Sequence, residues 1–83
     1  MGEEIMVTLK IKSDDKYILE SLKDDFKDLI IKKGSKTEAY LFTSLSDQFF
    51  ASIAHYKDAL IITKPLKAKE EYVAFLNSIL KEY

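Results

Sequence analysis

From Glu4 to Lys12 the chain alternates, with Ile5, Val7, Leu9 and Ile11 on one side and Met6, Thr8, Lys10 and Lys12 on the other. That period of two predicts a strand with one buried face. The period then lengthens: Ile18, Leu22 and Phe26, with Leu19 beside them, recur at helical spacing, so residues 14–25 read as an amphipathic helix with Ser13 or Asp14 as N-cap. Its other face carries Lys16, Glu20, Lys23 and Asp24. Phe26 to Lys32 returns as a strand, the glycine of Lys33-Gly34-Ser35-Lys36 supplies a tight connection, and Thr37 to Thr43 runs back as the second arm of a β-hairpin.

Ser44-Leu45-Ser46-Asp47 matches the serine-x-x-carboxylate helix start, and Phe49, Phe50, Ile53 and Ala54 form the stripe of a second helix ending near Tyr56. Lys57-Asp58 turns the chain into a short strand over residues 59–63, apolar on both sides, and Pro65 lacks the donor that would continue a ladder. From Lys67 onward Tyr72, Val73, Leu76, Ile79, Leu80 and Tyr83 mark one face of a last helix. The order is therefore β-α-β-β-α-β with an extra helix, an α+β arrangement expected to form a ferredoxin-like sandwich. With no linker or repeat, residues 1–83 read as one domain.

The segments "VTLKI", "SDDKYILESL", "KKGSKTEAYLFTSLSD", "QFFASIAHY" and above all "ALIITKPLKAKEEYVAFLNSILKEY" resemble the C-terminal extension (WCX) domain of WYL-type bacterial transcriptional regulators. The likeness spans about residues 5–83 and rests on element order, apolar pattern and the ending from Pro65 to Tyr83. In that family a strand ends on a proline, and a helix patterned leucine, glutamate, leucine, leucine closes the protein. The family commonly has a glycine after the second helix, where this chain has Ala54-His55-Tyr56.

The resemblance implies a fragment of a longer cytoplasmic regulator, in which an N-terminal helix-turn-helix or winged-helix domain makes the DNA contact and a WYL domain lies between. The module itself would respond to an effector and couple the subunits of a homodimer. Its partners would be a small effector and the WYL domain of the same or a second subunit.

Composition narrows the chemistry. Apolar residues make up 47% and charged residues 33% of the chain, the balance of a globular domain. The absence of cysteine excludes disulfides, thiolate nucleophiles and iron–sulfur ligation, and makes an intracellular setting the simplest reading. No apolar run approaches the roughly 18 residues that cross a bilayer, and the first residues lack the basic segment of a secretion signal, so no membrane partner is expected. All 13 basic residues are lysines, which disfavours sites built on the guanidinium fork, including acylphosphatase-type phosphate binding. The net charge of -1 is not that of an autonomous duplex-DNA binder.

Two crossover helices cover one face of such a sheet, so the other face is the place to look for a site. With Ile5, Val7, Leu9 and Ile11 inward, the outward residues are Met6, Thr8, Lys10 and Lys12, joined by Tyr40 and Phe42 of the neighbouring strand. Such a face fits a protein interface. Alternatively it stacks bases as an RNA-recognition domain does, although in "KTEAYLF" Thr37 stands where that motif has glycine and Glu38 where it has an aromatic residue. A one-residue slip of register would instead bury Tyr40 or Phe42.

Lys32, Lys33 and Lys36 around the hairpin form a candidate contact for an anionic partner, or serve solubility alone. A lone His55 makes neither a metal site nor a catalytic base, and the pairs Asp14-Asp15 and Asp24-Asp25 read as caps and solvated faces. No catalytic residue, metal ligand or cofactor is expected, and none of serines 13, 35, 44, 46, 52 and 78 has an identifiable base.

Overall fold

The alternating first segment forms β1 (Glu4–Ile11), the pivot of a four-stranded antiparallel sheet. The computed structural model describes residues 3–12 and 15–83. The remaining elements are α1 (Lys16–Asp25), β2 (Ile30–Lys32), β3 (Thr37–Ser44), α2 (Asp47–Ala54), a 3-10 turn at Lys57–Ala59, β4 (Leu60–Lys64) and α3 (Leu66–Leu80). Sheet order is β2-β3-β1-β4, and every neighbouring pair is antiparallel. The chain is thus an α+β domain, compatible with the expected ferredoxin-like sandwich.

Register follows the alternation. Val7 lies opposite Leu41, Leu9 opposite Ala39 and Ile62, and Ile11 opposite Leu60, so the middle of one sheet face is apolar, with Thr43 opposite Ile5 and Thr37 opposite Ile11 towards its ends. The residues of that apolar middle, each at most 6% exposed, form one core with Leu22 of α1 and Phe49, Phe50 and Ile53 of α2. The two helices therefore cover a single face. The β1–β4 pairing slips between Thr8 and Leu9, and the Thr63 hydroxyl donates to the Thr8 carbonyl at 3.1 Å across that bulge.

Several boundaries differ from the sequence reading for local reasons. Residues 13 and 14, where the first helix and its cap were expected to begin, lie outside the described residues; the N-cap is Asp15, whose side chain accepts from the Tyr17 N–H at 2.9 Å. The second strand is much shorter than Phe26 to Lys32. Phe26 closes α1 with its N–H on Leu22 O at 2.8 Å, Leu29 donates back to Phe26 O at 3.1 Å, and both side chains pack on the core from this turn.

Helix α2 is capped by Ser46, not Ser44: the Phe49 N–H donates to Ser46 Oγ at 3.2 Å, and the helix stops at Ala54. Gly34 is not needed for its backbone freedom, because its φ is not left-handed and a Cβ there would meet only Lys36 O at 3.8 Å. The left-handed position is Lys57 at φ 57°, where the chain leaves α2 for β4. Pro65 then opens α3 from the N-cap position, and the Lys69 N–H donates to its carbonyl at 3.2 Å.

Helix α3 docks on a different side from the one expected. Buried Ala68 and half-buried Tyr72 and Phe75 face the core, with the Phe50 ring 5.6 Å from both aromatic rings. Val73, Leu76, Ile79 and Leu80, which the expected stripe would have packed on the domain, are 38–68% exposed. Phe75 decides this, because it stacks with Tyr72 at 15° and both close over Phe50.

Candidate docking face

Because both crossover helices lie on one side, the opposite sheet face has no cover from the described residues of this chain. Cross-strand pairing orders it into rows. Met6 sits opposite Phe42; Thr8 opposite Tyr40, which also faces Ile30; and Lys10 opposite Glu38, which also faces Lys32. Ile61 of β4 extends the last row beside Lys10. Side chains directly opposite on one face stand about 4.5–5.5 Å apart at Cβ, so each row is a contiguous strip.

The centre of the face is apolar and wet. Met6 is 52%, Phe42 53% and Ile30 63% exposed, while Tyr40, Thr8 and Ile61 are half-buried by their neighbours. One end carries charge: Lys32, Glu38 and Lys10 alternate in sign across the sheet, and exposed Lys12 lies just past the end of β1. Ile30 and Ile61 complete the patch and were missed in the sequence. Ile30 carried a usable signal, since Ile30-Ile31-Lys32 alternates once Ile31 is assigned inward; Ile61 lies in a run apolar on both sides and carried none.

The hairpin lysines do not form one cluster. Lys32 is on the open face opposite Glu38. Lys33 lines a hollow of about 420 Å³ with Lys16, Leu19, Glu20, Lys23 and Ile31, towards the helical side. Lys36 joins Lys10 and Lys12 around a polar hollow of about 360 Å³ bounded by Gly34, Ser35 and Thr37. Successive side chains on a strand and its turn point to opposite faces, so adjacency in sequence separates these cations.

The groups that could carry chemistry have structural tasks. The Tyr56 hydroxyl donates to Asp25, and Ser21 Oγ lies 3.0 Å from the same oxygen, so Ser21 donates to it. This latch ties the end of α1 to the turn after α2, which corrects the reading of Asp25 as part of a merely solvated pair. Burial, reinforced by the hydrogen bond to the Asp25 carboxylate, raises the Tyr56 pKa above its ordinary value, away from any role as a base at neutral pH.

His55 is exposed at the end of α2, edge-on to Tyr56 with ring centres 5.4 Å apart. Ser46 is a cap, and Ser52 and Ser78 donate to Gln48 O and Phe75 O at 3.0 and 2.7 Å. Among the described residues no group of three or more His, Cys, Asp or Glu could hold a metal, and no helix is long and apolar enough to cross a membrane. Comparison with protein-family models, with curated proteins and with solved structures finds no match to the chain.

Proposed function

We propose that the chain is a non-catalytic docking module, the effector-response and dimer-coupling domain of a WYL-type transcriptional regulator, with DNA contact made by a helix-turn-helix domain elsewhere in that protein. The order β-α-β-β-α-β with sheet order β2-β3-β1-β4 fits a ferredoxin-like sandwich carrying one added helix. The observation that carries the reading is the uncovered face itself. Three large apolar side chains, Met6, Ile30 and Phe42, stand more than half exposed around Tyr40, and contiguous apolar area of this kind marks interaction surfaces.

The chemistry of the partner follows from the rows. An apolar surface, such as that of a WYL domain, would cover the centre, and carboxylates at its rim would meet Lys10, Lys12 and Lys32. The test is the mass of the native gene product, detected with an antibody to this domain and mapped by peptides. A product several times larger than 9.6 kDa with helix-turn-helix peptides supports the regulator; a 9.6 kDa product overturns it.

A second reading, binding of single-stranded nucleic acid, is favoured by Tyr40 and Phe42 lying on one face with Lys10 and Lys12. It is weakened by Glu38, which places a carboxylate between Lys32 and Lys10 where a phosphate would pass. Fluorescence anisotropy with a labelled oligonucleotide at low salt tests it: salt-sensitive binding lost in Tyr40→Ala would favour nucleic acid, and no binding would remove it.

A further inference from the structure

The β1–β3 ladder ends at Ile11 opposite Thr37, and one step further the two strands run into Lys12 and Lys36. With Lys10 these line the polar hollow of about 360 Å³ at the hairpin, beside Gly34, Ser35 and Thr37. Like charges set across a ladder repel. Glu38 stands opposite Lys10 but also opposite Lys32, so one carboxylate is shared by two lysines, and it does not line the hollow. Two other hollows gather lysines, and each includes a carboxylate: Glu20 beside Lys16, Lys23 and Lys33, and Asp58 beside Lys57 and Lys69. Here the described lining brings three ammonium groups together with none.

The turn that closes the hollow adds neutral donors. Gly34, Ser35 and Lys36 are exposed, and among the described residues their main chain makes no backbone hydrogen bond. Ser35 brings a hydroxyl. Successive N–H groups of a turn are donors that backbone concavities use to hold anions, and cations around them strengthen the hold.

We infer that this hollow is an oxyanion site for the diphosphate group of a small molecule. Lysine holds phosphate as a point charge, without the planar fork that a chain lacking arginine cannot supply. A phosphate monoester carries about 1.5–2 negative charges at neutral pH, so two linked phosphates match three ammonium groups better than one does. Lys10 and Lys12 also border the open face, and a bound diphosphate would occupy cations offered there to a partner's carboxylates. Binding itself does not depend on that docking and is measured on the chain alone.

Amide correlation NMR spectra of the 83-residue chain, titrated with sodium pyrophosphate at constant ionic strength, test the inference. The expected result is a saturable shift at the Gly34, Ser35 and Lys36 amides with a Kd below about 1 mM, the range open to several exposed charge pairs acting together. Inorganic phosphate should bind the same amides roughly tenfold more weakly, since it reaches fewer of the three lysines.

Lys12→Gln and Lys36→Gln should each weaken pyrophosphate binding roughly threefold or more. Lys33→Gln removes the same charge from the same hairpin, but Lys33 lines the hollow towards α1, so binding should stay within about twofold. A single-stranded oligonucleotide, which offers separate phosphates and not linked ones, should bind these amides less tightly than pyrophosphate. No saturable shift up to about 10 mM pyrophosphate, an equal loss in Lys33→Gln, or tighter binding of the oligonucleotide through Lys12 and Lys36 would each overturn the inference.

Discussion

Phe50 and Phe42 occupy opposite sides of one sheet, and truncating each to alanine separates what holds the fold from what is offered to a partner. Phe50 is 4% exposed and touches three other rings, Phe49, Tyr72 and Phe75, each at 5.6 Å. Phe50→Ala removes a buried ring and leaves a cavity under α3, a change that costs about 3–5 kcal/mol in a packed core. An 83-residue domain holds roughly 4–12 kcal/mol in all, so this variant stands near its unfolding midpoint in water or loses much of its stability.

Phe42 is 53% exposed, and its neighbours in the sheet are Met6 across the strand pair and Tyr40 beside it. Its removal costs a cross-strand contact and some strand preference, below about 1.5 kcal/mol. Urea unfolding followed by circular dichroism reads both. With a slope of about 1–3 kcal/mol per molar, Phe50→Ala should lower the midpoint by about 1 M or more and Phe42→Ala by less than half as much. Equal losses would mean that Phe42 is closed into the fold, and the docking face would not exist.

Tyr56→Phe should destabilise by roughly 1–2 kcal/mol, since it removes a hydrogen bond to a carboxylate and strands Ser21. Its pH signature has a definite sign. The folded pKa is raised above 10.0, so the protein holds the proton longer than the unfolded chain does, and stability falls as pH rises from about 10 through the folded value. Ultraviolet titration should show two late tyrosines, Tyr56 and the Tyr72 that burial also raises, of which one is lost in Tyr56→Phe; an unchanged titration would contradict the latch. Lys57 lies at φ 57°, a region that costs a side-chain-bearing residue about 1–2 kcal/mol, so Lys57→Gly should raise the thermal midpoint despite the entropy that glycine adds to the unfolded chain. A lower midpoint would show that the lysine side chain contributes more than its backbone strain costs.

Much of the architecture was legible because one periodicity dominated each segment. Strict alternation from Ile5 to Ile11 placed β1 and its inward face, and the serine-rich approach to Phe49 located α2, although two serines two residues apart left the cap open between Ser44 and Ser46. The errors arose where apolar residues serve a shape other than the repeat they fit. Phe26 and Leu29 fit a strand, yet they enter the core from a turn, because the Phe26 N–H stays with α1.

Helix α3 is apolar over two adjoining seams, and pattern alone does not say which one docks. The rings of Phe50, Tyr72 and Phe75 make that choice through contacts between residues far apart in the chain. The open face was legible in its β1 and β3 rows and illegible in β4, where Ile61 lies between two buried neighbours, Leu60 and Ile62. Asp25 carried no sign of its partner, since Tyr56 reaches it from 31 residues away.

The most direct test of docking through the open face is the oxidation rate of Met6 by dilute peroxide, followed by mass spectrometry of its peptide. Met6 is 52% exposed in the isolated domain and stands opposite Phe42 at the centre of the patch. In the native gene product its oxidation should be roughly tenfold slower or more than in the 83-residue chain at the same concentration, as a partner surface excludes the oxidant. Equal rates in the two samples would contradict docking through this face.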